Sequence, residues 1–135
     1  MILYTSDTDK LKSSKKCLKV YLAVTLFVLV FGIAYEYFSH GVVSLYMILA
    51  FLIPLVLGML PFGTISILKK NYYPSPIGSN TYHAGIATLT VGSIMKGVLD
   101  IYGTTSPYIS VYLIIGVILC VFGVAYSTVK ILISK

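Results

Sequence analysis

Three charged residues and one histidine lie toward the C-terminal ends of the first and third apolar segments, where a charge is costly and therefore points to a function. They are Glu36 and His40 at the end of the first apolar segment, and Lys96 and Asp100 near the end of the third. Lys96 and Asp100 are four residues apart, so they can pair on one helix face. An acid on each of two helices with a lysine between them suits a pocket for a proton or a cation. It equally suits a polar clamp that holds the two helices together.

The composition is that of an integral membrane protein. Of the 135 residues, 58% are hydrophobic and only 10% are charged, whereas a soluble domain carries about 25% charged residues. This composition excludes a disordered chain, a nucleic-acid-binding arm and an ordinary cytosolic enzyme. The basic residues are all lysines. The absence of arginine also disfavours a nucleic-acid partner, because the planar guanidinium group is preferred in such recognition.

Four apolar segments each reach the length of about 20 residues that a bilayer span requires. They cover residues 17–39, 42–68, 82–102 and 108–133. Because the connections at residues 40–41 and 103–107 are short, we predict an all-α integral membrane protein with four transmembrane helices arranged as two helical hairpins. Residues 1–16 form a polar, lysine-rich cytoplasmic head in this interpretation, and residues 17–135 form the four-helix transmembrane domain.

The positions of the lysines predict the orientation. All but Lys96 lie before or at the start of the first segment, follow the second as Lys69 and Lys70, or lie at the end of the fourth. Cytoplasmic flanks of membrane spans are enriched in lysine, so both termini are predicted to be cytoplasmic. The protein is then a multi-pass protein of the cell membrane, taken to be a bacterial inner membrane. The lysine cluster before the first segment is expected to attract anionic lipid headgroups.

Glycines and prolines predict how the helices pack and bend. Gly85 and Gly92 share a face of the third segment with Lys96, and Gly32 shares a face of the first segment with Glu36. Glycine lets helix backbones approach closely, so these faces are expected to pack against other helices. The second segment contains Pro54, Gly58 and Pro61. Proline removes a helix hydrogen bond, which predicts either a static kink or a hinge.

The sequence offers no motif for catalysis or for a cofactor. His40 and His83 fall at opposite ends of the predicted spans, so they do not form an axial pair for haem. Cys17 and Cys120 lie at different depths, which disfavours a disulfide and a zinc site. We therefore predict no enzyme activity, no metal and no cofactor, and we interpret His40 as a turn residue or an external pH sensor.

Two functions stay open on this evidence. The first is a homo-oligomeric transporter or channel whose copies surround an outer-leaflet polar site made by Glu36, Lys96 and Asp100. The second is a non-catalytic accessory or assembly subunit that packs through the face of Gly85 and Gly92 against a larger membrane protein. A subunit that only packs against a partner does not need three ionisable groups at one depth of the membrane, so this arrangement favours transport.

Overall fold

The structure is a computed structural model that describes residues 7–67 and 75–134. These residues form α1 (Asp7–Phe38), α2 (Leu45–Leu49), a π-helical segment (Pro54–Met59), α3 (Leu60–Ile67), α4 (Pro76–Tyr102) and α5 (Tyr108–Ile133). Within them, four helical stretches are long and apolar enough to cross a membrane, namely Lys12–Phe38, Leu45–Thr64, Pro76–Tyr102 and Tyr108–Ile133. The predicted all-helical class with four candidate membrane spans is confirmed. Lys69, Lys70, residue 68 of the predicted second segment and residues 1–6 of the head lie outside the described residues.

Two helices begin earlier than the hydropathy predicts. α1 begins at Asp7, inside the predicted head. Ser14 is buried there and its Oγ donates a hydrogen bond to the carbonyl of Phe62 at 3.2 Å, so this part of the head packs as helix. α4 begins at Pro76, before the predicted residue 82, because Ser75 caps it by accepting a bond from Gly78 N at 3.2 Å. Proline is favoured in the first helical turn, where its missing N–H costs nothing.

The second candidate span is interrupted at residues 50–51, shortly before Pro54, where the sequence predicted one helix with a kink or an early end. α2 ends at Leu49, and the π-helical segment begins at Pro54. Pro54 has no N–H for the carbonyl of Ala50, which accepts instead from Ile53 N at 3.3 Å. Pro61 likewise cannot donate to the carbonyl of Leu57. We refer to the stretch Leu45–Thr64 as the second span.

α4 and α5 share the closest helix–helix interface, and small residues make it possible. These residues recur at intervals of seven and are Gly78, Gly85 and Gly92 of α4 with Gly116 and Gly123 of α5. A Cβ atom on Gly85 would lie 2.6 Å from Cys120 Sγ, and one on Gly116 would lie 2.6 Å from Leu89 Cγ. Such distances leave no room for a side chain, so the two backbones meet directly.

Within the described residues, the spans pack in the order α1, second span, α4 and α5. We call the end that holds residues 39–44 and 103–107 the loop end, and the opposite end the terminal end. A core cluster of Tyr21, Phe62 and Ile86 joins the first three spans. The remaining faces of α1 and α5 are apolar and exposed, with Phe27 at 70% and Val121 at 63%, as expected for faces that contact lipid.

Candidate functional site

α4 carries a polar face in addition to its glycine face. At 100° per residue, the side chains of Ser79, His83, Thr90, Ser93 and Asp100 project from one side of the helix, with Lys96 at its edge. Ser79, Thr90 and Ser93 are buried, and the contacts below place this face against α1 and the second span. From Ser79 to Asp100 the helix rises about 32 Å. This matches the roughly 30 Å thickness of a bilayer core.

The loop end of this face holds a hydrogen-bonded group that we call the loop-end cluster, made of Glu36, Ser44, Lys96 and Asp100. Ser44 N donates to Glu36 Oε1 at 2.9 Å, and Ser44 Oγ donates to Asp100 Oδ2 at 3.2 Å. Lys96 Nζ donates to Asp100 Oδ1 at 2.8 Å and forms an ion pair with it. One buried serine therefore connects the acid of α1 to the acid of α4, immediately before the second span begins.

The ion pair of the loop-end cluster is partly open to the surroundings. The Lys96 and Asp100 side chains are 28% and 30% exposed. Lys96 Nζ also lies 5.6 Å from the centroid of the Tyr46 ring, which is within the range of a cation–π interaction. Ser93 Oγ donates to the carbonyl of Tyr46 at 2.8 Å. The start of the second span is thus held to α4 by both the backbone and the side chain of Tyr46.

Of the four ionisable residues singled out in the sequence, the structure brings Glu36, Lys96 and Asp100 into one cluster and separates His40 from it. His40 is exposed, has a positive φ of 57°, and its Nδ1 is hydrogen-bonded to the carbonyl of Phe38 at 2.9 Å. It lines a different groove, of about 500 Å³, between the ends of α1 and α4.

Sequence reasoning missed Ser44 and Tyr46, although a serine directly before an apolar run is a recognisable helix-start signal.

The terminal end of the polar face holds a second group, the terminal-end cluster of Tyr21, Ser79 and His83. Tyr21 Oη is hydrogen-bonded to His83 Nδ1, and Ser79 Oγ is hydrogen-bonded to His83 Nε2 at 3.1 Å. The ring of Phe62 stacks on His83 with centroids 5.0 Å apart. Sequence reasoning treated His83 only as a rejected haem ligand. Its partner Ser79 fell before the predicted start of the helix, so their spacing of four residues gave no signal.

Buried hydroxyl groups lie between the two clusters. Thr25 of α1 and Thr90 and Ser93 of α4 are each at most 6% exposed. Each donates its proton to a backbone carbonyl, at 2.7 to 2.8 Å. Their oxygen atoms keep lone pairs that can accept further hydrogen bonds. The polar face of α4 therefore has ionisable groups at both ends and hydroxyl groups between them.

The remaining predicted residues fall on packing surfaces. A Cβ atom on Gly32 would lie 3.2 Å from the carbonyl oxygen of Met47, so α1 approaches α2 closely there. Gly58 of the π-helical segment is covered by the ring of Tyr21. Pro54, four residues before Gly58, is fully buried. A cavity of about 240 Å³ between α1 and the second span is lined by Gly32, Glu36 and apolar side chains.

Two further observations bear on chemistry. Among the described residues, no group of three or more His, Cys, Asp or Glu side chains is arranged to hold a metal ion. Cys17 and Cys120 are both free thiols.

Comparison of the chain with protein-family models, with curated proteins and with solved structures finds no match. The roles of the two clusters must therefore be inferred from their own residues.

Proposed function

We propose that this chain is a small transporter or channel that works as a homo-oligomer and moves an ion along the polar face of α4. One observation carries the proposal: polar side chains, buried at Thr90 and Ser93 and partly exposed at His83 and Asp100, extend along one face of α4 over most of a bilayer's thickness. A helix that only packed against its neighbours would need no ionisable group at either end. Polar groups inside membrane spans are costly and commonly mark ion pathways.

The interrupted second span supports this proposal. Transporters place broken helices at their substrate sites, because backbone groups freed from helical bonding can contact a polar substrate. Here α4 contacts the second span on both sides of the interruption: Ser93 Oγ donates to the carbonyl of Tyr46 before it, and Tyr82 Oη donates to the carbonyl of Leu57 after it. Pro54, Gly58 and Pro61 are the proposed hinge, because proline and glycine positions tolerate a change in backbone conformation with the least loss of hydrogen bonds.

The orientation and assembly are part of the same proposal. We place both termini in the cytoplasm and arrange the four spans as two helical hairpins in the cell membrane. Lys12, Lys15, Lys16 and Lys19 are exposed at the terminal end of α1, and Lys130 is exposed in the last turn of α5. These lysines are placed to contact anionic lipid headgroups. The loop-end cluster then belongs to the outer leaflet.

A homo-oligomer is proposed because the described spans of a single copy pack as an open row of helices. α5 packs chiefly against α4, and α1 packs chiefly against the second span. The row does not close on itself, so four spans of one chain enclose little volume. Further copies would surround the partly open ion pair of Lys96 and Asp100.

A non-catalytic accessory subunit of a larger membrane complex is the second candidate, and one observation favours it. Among the described residues, no buried side-chain nitrogen or oxygen lacks a hydrogen-bond partner, so the loop-end cluster can also serve as a static clamp. The face of Gly85 and Gly92, through which such a subunit was expected to dock, is covered by α5 of the same chain. An accessory role would therefore need a different surface.

Flux measurements on the purified protein distinguish the two candidates. The protein is purified in mild detergent, its assembly mass is determined, and it is reconstituted into liposomes that are tested for H⁺, K⁺, Na⁺ and Cl⁻ flux. We expect flux of at least one ion, lowered about tenfold or more by Glu36→Gln, as for loss of a positioned ionisable group. Tyr37→Phe, on the exposed face of α1, is the control. A correctly assembled protein that passes none of these ions would overturn transport in favour of the accessory role.

A further inference from the structure

The imidazole of His83 is held between two hydroxyl groups that come from different helices. Tyr21 of α1 contacts one ring nitrogen, and Ser79 of α4 contacts the other. Tyr21 and Ser79 are 8% and 5% exposed, so the group is enclosed on both sides. A neutral imidazole has one N–H donor and one acceptor nitrogen. In either tautomer, one hydroxyl therefore donates to the ring and the other accepts from it.

From this arrangement we propose that the terminal-end cluster is a proton-transfer site and that the ion moved along α4 is H⁺. The inference rests on the proposed transport function and names its substrate. A hydroxyl group can accept one proton while it donates another, and imidazole can do the same through its two nitrogens. Tyr21, His83 and Ser79 thus form a continuous donor–acceptor chain across the space between α1 and α4.

The transfer step balances in protons. In the starting tautomer, Nδ1–H donates to Tyr21 Oη and Nε2 accepts from the Ser79 hydroxyl. Ser79 gives its proton to Nε2 as its oxygen takes one from a hydronium ion at the terminal end, which leaves as water. Nδ1 then releases its proton to Tyr21 Oη, whose own proton passes to the next acceptor. The ring is neutral again in the opposite tautomer, and it must turn over before the next proton enters.

The surroundings of His83 favour a short-lived imidazolium ion over a stable one. The titratable groups that pack around the cluster are Cys17 and Tyr21 of α1, Tyr82 of α4 and Cys120 of α5. The second span contributes only apolar side chains there, Phe62 among them. No carboxylate among the described neighbours compensates an imidazolium ion, and burying an uncompensated charge is unfavourable. A site of this kind transfers a proton better than it retains one.

The route toward the loop end continues through hydroxyl groups. Ile86 occupies the polar face of α4 between His83 and Thr90, so the nearest polar side chain along α1 is Thr25, one turn from Tyr21. Thr90 and Ser93 follow on α4. In the proposed route each turns its hydroxyl away from the backbone carbonyl that it bonds in the structure, and the loop-end cluster accepts the proton at Glu36 or Asp100. Carboxylates are suited to that role because they are the ordinary proton acceptors of membrane proton relays.

Isosteric variants test the relay in liposomes loaded with a pH-sensitive dye. Tyr21→Phe keeps the ring that covers Gly58 and removes only the hydroxyl bonded to His83. Tyr126→Phe is the matched control, because the ring of Tyr126 in α5 stacks on Phe122 and not on the imidazole. We expect Tyr21→Phe to slow H⁺ flux about tenfold or more and Tyr126→Phe to leave it near the wild-type rate. Equal rates for both variants would overturn the inference.

A spectroscopic readout separates proton transfer from a structural role. The chain has two histidines, so ¹⁵N-labelled histidine gives two sets of ring signals, and His40→Gln assigns them. Between about pH 5 and 8, where imidazole ordinarily titrates, we expect the His83 signals to show exchange between its two tautomers, and Tyr21→Phe to remove that exchange. A single fixed tautomer throughout would overturn the inference. If the wild-type protein passes no H⁺ but passes K⁺, Na⁺ or Cl⁻ at a rate that Glu36→Gln lowers, only the assignment of H⁺ as the substrate is overturned. If the wild-type protein passes none of the four ions, the transport function is overturned as well.

Discussion

Ser44 Oγ donates a hydrogen bond to Asp100 Oδ2 at 3.2 Å, and this contact joins two residues that are far apart in the sequence. Ser44 immediately precedes α2, and Asp100 lies in the last turn of α4. The same serine donates its backbone N–H to Glu36. Ser44 is therefore the residue that assembles the loop-end cluster, because Glu36 has no direct bond to Lys96 or Asp100 among the contacts described.

Ser44→Ala is expected to destabilise the loop end while leaving the backbone bond to Glu36 in place. A hydrogen bond to a charged group contributes about 1.5–3 kcal/mol, and the partial exposure of Asp100 places the expected loss near the lower value. The measurement is unfolding in mixed detergent micelles, compared with Ser110→Ala, an exposed serine at the start of α5. Equal stability of the two variants would show that the Asp100 bond contributes nothing measurable.

Gly85→Ala is expected to disrupt the interface of α4 and α5. Its Cβ atom would lie 2.6 Å from Cys120 Sγ and 2.7 Å from Cys120 N. Cys120 N belongs to the backbone, so a side-chain rotation cannot relieve that contact. Overpacking of this kind costs about 1–3 kcal/mol. The matched control is Gly63→Ala in α3, where the added Cβ meets Leu18 Cδ1 at 3.7 Å, an ordinary contact.

Thermal unfolding in detergent gives the readout for this pair of glycine variants. We expect a lower Tm for Gly85→Ala and an unchanged or slightly higher Tm for Gly63→Ala, because alanine favours a helix over glycine by about 1 kcal/mol. If both variants unfold at the wild-type temperature, the helices are not in the close contact that the Gly85 and Cys120 distances describe.

Much of the fold could be predicted from hydropathy, and the parts that could not depend on contacts between distant residues. The α5 boundaries agree with the predicted segment because that helix is strongly apolar over most of its length and begins directly after Pro107. The early start of α1 could not be predicted, because it depends on Ser14 bonding to Phe62. The early start of α4 is marked locally by the Ser75 cap and Pro76, a signal that hydropathy alone does not register. Hydropathy measures lipid compatibility, and helices continue past the bilayer wherever a neighbour satisfies their polar groups.

The candidate site also contains one contact that the sequence predicts and others that it does not. The spacing of Lys96 and Asp100 gives their pairing directly, since both lie on one helix. The link from Glu36 through Ser44 and the bond between Tyr21 and His83 join separate helices. No periodicity in the sequence reports such contacts, because they depend on how the helices rotate about their axes. That rotation follows from the glycine face of α4, which turns its polar face away from α5.

Cysteine labelling in cells tests the proposed orientation. In a chain with Cys17 and Cys120 replaced by alanine, Thr104→Cys and Lys130→Cys each place a thiol at an exposed position at opposite ends of the structure. A membrane-impermeant maleimide added to intact cells is expected to label Thr104→Cys, and to label Lys130→Cys only after lysis, because lysine-rich flanks remain cytoplasmic. The reverse pattern would place the loop-end cluster on the cytoplasmic side, and labelling of both in intact cells would exclude a single orientation.

Tyr82 and Pro61 are expected to be energetically coupled although they lie on different spans. Pro61 cannot donate to the Leu57 carbonyl, and Tyr82 Oη donates to that oxygen at 2.7 Å. Tyr82→Phe alone leaves the carbonyl with fewer donors and is expected to cost about 1 kcal/mol. Pro61→Ala restores an N–H that can reach the same carbonyl. In that background Tyr82→Phe should cost less, with a coupling of about 0.5–1 kcal/mol in a double-mutant cycle.

The same cycle indicates whether Pro61 has a role beyond stability. Restoring the N–H also stiffens the second span, because one more helical bond must break when the span bends. If the span is a hinge, Pro61→Ala is expected to raise the unfolding temperature and lower ion flux in liposomes. A static kink predicts a change in stability with flux unaltered. Pro54→Ala provides the comparison: each proline denies a carbonyl the N–H four residues further on, but of these two carbonyls only that of Leu57 receives a side-chain donor from α4.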